Sequence, residues 1–197
     1  MTGRVSLDAG IIVFQFFFLS WSGWICETIN ETITRGRFVN KGFFSGPYTI
    51  SHGIGGIGVY LACSPLKDHP LLVFLLGMAL CTAVEYVMAL FLEGCFRVKC
   101  WDYTTYPHTR WCHFRGRIAL TTSLFFGIIT LFVVYLYWDA GLTMTARLGR
   151  LLPPLDAMLA ALFAADAVYN CVKLIRYKKE GIKVRNFAVF SDTELPE

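Results

Sequence analysis

A chain of 197 residues that is 55% hydrophobic and only 16% charged, with a mean hydropathy of +0.52, carries more apolar surface than a soluble core of this size can hide. Its net charge of +4 comes from basic residues set beside apolar blocks, which excludes a nucleic-acid footprint and suits a lipid surface. The composition predicts an all-α fold, a polytopic membrane helix bundle with about five transmembrane helices.

A helix needs about 20 apolar residues, at about 1.5 Å each, to cross a bilayer. The first predicted span runs from Ala9 to Ile33 and is charge-free as far as Cys26. A small-x-small pattern at Ser20-Trp-Ser22-Gly23 resembles a cleavage site. The basic segment before it is weak, so the helix is read as uncleaved. The second span is predicted over Tyr48 to Cys63, the third over Leu71 to Glu93, and the fourth over Ile118 to Trp138. Leu155 to Lys173 is the fifth, although Asp156 and Asp166 interrupt it. Ser64-Pro65 with Asp68-His69-Pro70 marks a tight turn, and Pro153-Pro154 suits a helix start. One integral domain is expected over 1–185, followed by a disordered cytoplasmic tail over 186–197.

Fourteen of the eighteen Lys and Arg residues fall on one side of this arrangement. They are Arg35, Arg37 and Lys41 after the first span, Arg97, Lys99, Arg110, Arg115 and Arg117 before the fourth, and the six residues Lys173, Arg176, Lys178, Lys179, Lys183 and Arg185 of the tail. The positive-inside rule puts that side in the cytoplasm. The N-terminus is then out, the C-terminus in, and the chain is a multi-pass protein of the cell (cytoplasmic) membrane.

Carboxylates inside the apolar runs carry the most information. An acid at the bilayer centre costs roughly 2.5–3.5 kcal/mol on insertion scales, so each needs a partner, water or a function. Glu27 lies eight residues before Arg35, Glu93 four before Arg97, and Asp166 seven before Lys173. All three are thereby drawn toward the cytoplasmic end, with Glu85 deeper. Ser20, Trp24, Glu27 and Glu31 share one helix face, and Glu85 shares a stripe with Glu93. Two readings stand. The groups pair structurally, for example Glu27 with Arg117, or they line a polar cavity open to the cytoplasm.

Glycine, proline and aromatic residues shape the loops on that side. Gly23-Trp24-x-x-Glu27, Asn40-x-Gly42-Phe43-x-x-Gly46-Pro47-Tyr48, Glu85-Tyr86, Leu92-Glu93, Trp101-Asp102-Tyr103, Gly116-Arg117-Ile118 and Asp166 follow in that order. Over residues 20–170 this order resembles the bacterial CmpB-type ABC-transporter permease family, also called putative ABC-transporter type IV. The resemblance implies an inner-membrane protein of about five helices and names no substrate. Two departures stand out. Thr49-Ile-Ser-His-Gly53 follows Gly46-Pro47-Tyr48 where the family has a Pro-Ile-Tyr-Gly-like run. The segment from Tyr103 to Gly116 is longer than is usual there. The candidate substrate or cavity residues are Glu27, Glu31, Tyr48, Glu85, Glu93, Asp102, Tyr103, Arg117 and Asp166.

Other patterns point away from catalysis and cofactors. Gly53-Ile-Gly-Gly-Ile-Gly58 matches a dinucleotide fingerprint without the strand–turn–helix that gives it meaning, and reads as close helix packing. Cys95, Cys100, Cys112, His108 and His113 lack a C-x-x-C pair, so no metal and no cofactor is expected. Seven cysteines, an odd number, argue no disulfide framework. The sequence holds no P-loop and no nucleophile elbow, so no catalytic residue is named. The favoured reading is a permease-like transporter subunit in the lipid bilayer, joined by a separate ATPase subunit or a second copy of itself. Two other classes compete with it. One is an intramembrane enzyme on a lipid or small polar substrate, with Glu27 or Glu85 as general base. The other is an accessory scaffold whose charges only pair.

Overall fold

Long apolar runs closed by glycine, proline or charge give long helices, and the computed structural model is mostly helical. It describes residues 8–40, 44–96, 99, 101–107 and 109–179. Helix α1 (Ala9–Arg35) ends where Gly36 takes the left-handed φ of 66° that commonly closes a helix. Helix α2 (Ile50–Cys63) is only 14 residues long. A 3₁₀ turn at Ser64–Leu66 follows, and Pro70 opens α3 (Pro70–Phe96), where its missing N–H breaks no helical hydrogen bond. Helix α4 (Leu120–Phe132) continues through a π turn at Val133–Tyr137 into α5 (Trp138–Leu148). Gly149, at φ 49° and ψ −115°, stops that run, and α6 (Leu152–Lys179) carries Pro153 and Pro154 in its first turn.

Glycines set the packing by letting helices approach closely. A Cβ on Gly56 would meet Leu19 at 2.7 Å, and one on Gly53 would meet Ser20 Oγ at 2.3 Å. Within the Gly53–Gly58 run it is Gly53 and Gly56 that serve α1–α2 contact, in antiparallel register with Gly23 against His52. On the α3–α4 side, Gly77 faces Thr130 and Gly127 faces the Phe74 ring. Thr82 Oγ1 donates to Ser123 Oγ at 2.9 Å across the same pair, so α3 and α4 are also antiparallel. α6 runs alongside α1 in the same direction, with Asp156 beside Gly10 and Phe163 beside Phe17. The fully buried Gln15 of α1 donates Nε2 to the Trp138 carbonyl at 3.1 Å, tying α5 in. Trp138 stacks on Tyr60 of α2 at 3.7 Å.

Three stretches are long and apolar enough to cross a membrane: Ala9–Ile33, Pro70–Cys95, and the 58 residues Leu120–Tyr177. Their outer faces expose large apolar side chains such as Leu71, Val87, Phe125, Leu136 and Val172, a surface that suits lipid. The third stretch would measure about 87 Å as one rod at about 1.5 Å per residue, and Gly149 turns it back instead.

Several predicted boundaries shift. Ile118 does not open the fourth helix. Ile118–Ala119 (β2) pairs antiparallel with His113–Phe114 (β1), a small non-helical element in a fold expected to be all-α. The helix begins at Leu120 and runs past Trp138 to Leu148. Asp156 and Asp166 do not interrupt the last helix, which extends through Lys179. The expected tail over 186–197 lies outside the described residues, as do Lys41, Gly42 and Phe43 of the second motif.

Candidate functional site

The connection from α3 to α4 folds back onto the end of α3, and three acidic residues of the two segments each find a distinct partner. The β1–β2 hairpin turns at Arg115 and Gly116, whose φ values of 52° and 70° are both positive. That pair suits the type I′ turn favoured in short hairpins. Gly116 is required for space as well, since a Cβ there would sit 2.6 Å from Asp102 Oδ1. Beside the turn, Arg117 Nε donates to Glu93 Oε2 at 3.0 Å, with a second, shorter contact from Nη2. Trp101 Nε1 donates to the Arg117 carbonyl at 2.8 Å, which holds the backbone of that arginine.

Asp102 turns away from the helices. Lys99 Nζ reaches its Oδ2 at 2.6 Å, and both the amide and the hydroxyl of Thr104 donate to Oδ1. Burial alone would raise its pKa, but the Lys99 and Thr104 hydrogen bonds outweigh it and hold the carboxyl below its ordinary 3.8. Tyr103 points the other way, into the bundle. Its hydroxyl donates to Glu85 Oε1 at 2.6 Å. Burial first, and then the Glu85 carboxylate, push the phenol above its ordinary 10.0.

Glu27 of α1 lies close enough to act electrostatically on the same phenol. Its Oε1 stands 3.5 Å from His52 Nδ1 of α2, an ion-pair distance without hydrogen-bond geometry. Thr122 of α4 adds a further hydroxyl beside Tyr103. Four helices and one loop therefore bring Glu27, His52, Glu85, Tyr103 and Thr122 into one polar cluster. Two hydroxyls, an imidazole and two carboxylates so placed can bind a polar group or pass a proton among themselves.

A second group of predicted residues serves another purpose. The chain entering α2 is irregular, with Phe44 at 5% and Tyr48 at 7% exposure while Ser45 and Pro47 between them are exposed. Its polar backbone must still be satisfied. Asp166 Oδ2 of α6 accepts from the Gly46 amide at 3.0 Å, and Ser45 Oγ donates to Asn170 Oδ1 at 3.0 Å. Asn170 in turn donates Nδ2 to Asp166 Oδ1 at 2.9 Å. Trp24 Nε1 donates to Asn40 Oδ1, and Asn40 Nδ2 to the Ser45 carbonyl at 3.1 Å. The Tyr48 ring packs edge-on among Phe17, Phe44 and Phe163.

The structure thus unites Glu27, Glu85 and Tyr103, sets Glu93 with Arg117 farther along α3, and separates Asp102, Tyr48 and Asp166 from both. Glu31 is buried at 4% exposure one turn beyond Glu27. The pairing of Glu27 with Arg117 is not formed, because His52 occupies the Glu27 side and Glu93 takes the guanidinium. His52 and Asn170 were missed by sequence reasoning. His52 has a signal in Gly23, the glycine that makes room for its ring. Among the described residues no three His, Cys, Asp or Glu side chains gather closely enough to hold a metal ion; Cys100 and His108 lie outside them.

The sequence profile of the family described as Putative ABC-transporter type IV matches residues 14–171. No curated protein matches the chain significantly, and neither does any solved structure.

Proposed function

The chain belongs to the family described as Putative ABC-transporter type IV, and from that premise we propose that it is a permease-like membrane subunit whose ATPase is a separate chain. The observation that carries this reading is the polar cluster of Glu27, His52, Glu85 and Tyr103, drawn from separate apolar helices and one loop. Ionisable groups that face a bundle interior are the common mark of a solute or proton path. The substrate path runs along that cluster, with Glu85 as its deepest carboxylate and Arg117 fixing the loop above it.

The proposed topology has five passes in the cell membrane, N-terminus outside. It is supported by the fourteen-to-four split of basic residues and by the antiparallel packing of α1 with α2 and of α3 with α4. The second pass is shared between the irregular lead-in and the short α2. The test is a pull-down of the full chain in mild detergent, with wild type and Glu85→Gln in parallel. A nucleotide-binding ATPase is expected with both, since the substitution keeps shape and hydrogen bonding. Recovery of the chain with no ATPase under conditions that keep it monodisperse overturns the transporter reading.

A further inference from the structure

Helix α2 begins in an unusual place. Its 14 residues reach about 21 Å at about 1.5 Å each, short of the roughly 30 Å of a bilayer core. The Thr49 amide donates to the Ser20 carbonyl at 3.2 Å. Ser20 sits next to the midpoint of the candidate span Ala9–Ile33. The N-terminus of α2 is therefore held near half-depth, reached by irregular chain rather than by helix. Non-helical backbone at that depth is tolerated only where it is buried in protein or faces a polar cavity.

The polar groups around that first turn are left over. Thr49, the N-cap, makes no side-chain capping bond. Thr49 Oγ1, Ser20 Oγ and His52 Nδ1 are all buried without a hydrogen-bond partner. Ser20 is 0% and Thr49 8% exposed. Ser20 Oγ is aimed at the first turn, where it takes the space a Cβ on Gly53 would fill. Buried polar atoms are nearly always satisfied, so such a cluster marks a place where something else binds.

We propose that the first turn of α2, with Ser20, Thr49 and His52 around it, is the closed form of a binding site for the carboxylate-class anionic group of a small solute. A helix N-terminus carries about half a positive charge and favours an anion. Two hydroxyls and an imidazole can each donate to such a group. Broken helices that begin at mid-membrane present their N-termini to substrate anions in this manner. Glu27, 3.5 Å beyond His52, is the opposing charge nearby, and it links this site to the polar cluster. The inference rests on the transport reading, because it takes α1 as crossing the membrane.

The test uses Thr49→Cys and Ser20→Cys in the full chain, with Thr105→Cys as the exposed reference. Each is treated in mild detergent with anionic methanethiosulfonate ethylsulfonate or its cationic ethylammonium counterpart. Modification is followed by peptide mass so that native cysteines are counted separately. At Thr49→Cys and Ser20→Cys the anionic-to-cationic rate ratio should exceed that at Thr105→Cys by roughly tenfold, the low end of focusing by a charged cleft. Sodium acetate should slow the reaction more than sodium chloride at equal ionic strength. A ratio equal to the reference, or reversed, overturns the anion site. No reaction with either reagent, in monodisperse protein that reacts after unfolding, shows a dry packing contact and overturns the site altogether. Neither result touches the ATPase pull-down, so the two readings fail separately.

Discussion

The two sides of the bundle handle their polar groups differently. Along α3 and α4, glycine on one helix meets a large or branched side chain on the other, and Glu85, Glu93 and Asp102 are each held by a named partner. Around α1, α2 and α6, Asp166 and Asn170 of α6 are committed to the Gly46 amide and the Ser45 hydroxyl of an irregular segment, and several buried atoms have no hydrogen bond. The first side is built as a fixed frame. The second keeps one polar helix end inside the bundle, with buried polar atoms around it that make no hydrogen bond.

The sharpest way to break this contrast is to disturb the frame. A Cβ on Gly77 would lie 2.1–2.5 Å from three atoms of Thr130. Overpacking of a core contact typically costs about 1–3 kcal/mol. Gly77→Ala should sit at the upper end of that range, read as a lower unfolding temperature in detergent. Gly58 on α2 has nothing within 4 Å of its Cβ position, so Gly58→Ala should be neutral or slightly stabilising. Equal losses at both positions would mean that the close approach of α3 to α4 is not what Gly77 supplies.

Next in size is Tyr103→Phe, which removes the hydroxyl donated to Glu85 at 2.6 Å. Hydrogen bonds to charged groups are worth roughly 1.5–3 kcal/mol. The variant should lose stability in that range, and protease should cut the 101–107 loop faster than in wild type. A loop that stays as resistant as before would mean that the Trp101 and Arg117 contacts alone hold it.

The difference between the sides also explains what the sequence made legible. The start of α3 could be read because turn residues lead into Pro70, whereas the fourth helix, expected to end at Trp138, runs on to Leu148 and stops at Gly149. That Arg117 pairs with a buried carboxylate was readable from depth, but the choice of Glu93 over the expected Glu27 depends on how far α3 slides along α4. Gly77 and Thr130 fix that register only in three dimensions. Tyr103 as the partner of Glu85 does not follow from charge pattern, because a phenol carries no charge yet donates to a carboxylate as a basic residue does. Asp166 looked like a cavity group by depth, whereas its acceptor oxygen is engaged by the Gly46 amide. The depth at which α2 begins was invisible, because hydropathy does not distinguish irregular chain from helix.

Asp166 gives a third, smaller probe, on the α1–α2–α6 side. Asp166→Ala strands the partly buried Gly46 amide, so the loss should fall at the lower end of the about 1–3 kcal/mol of an unsatisfied buried donor. Asp166→Asn retains an acceptor oxygen and should recover most of that loss in an unfolding measurement. If asparagine is as damaging as alanine, charge rather than backbone satisfaction is what the residue supplies, and Asp166 returns to the list of path residues.

The smallest effect is expected at Asp102, and its pH dependence identifies it. The folded carboxyl is held below 3.8 by Lys99 and Thr104 despite partial burial, so the folded state favours the ionised form relative to the unfolded chain. By linkage this contribution is fully present above about 3.8 and is lost as pH falls through the lower folded value. The Lys99 and Asp102 side chains are 38% and 28% exposed, so solvent screening keeps the contribution near the ~0–1 kcal/mol of surface pairs. Asp102→Asn should therefore melt slightly below wild type at neutral pH, and the gap should narrow as the buffer becomes more acidic than about pH 3.8. A gap that stays constant through that acid range would assign the effect to shape. The carboxamide of asparagine would then be failing to accept from Thr104 as the carboxylate does, with Lys99 contributing nothing.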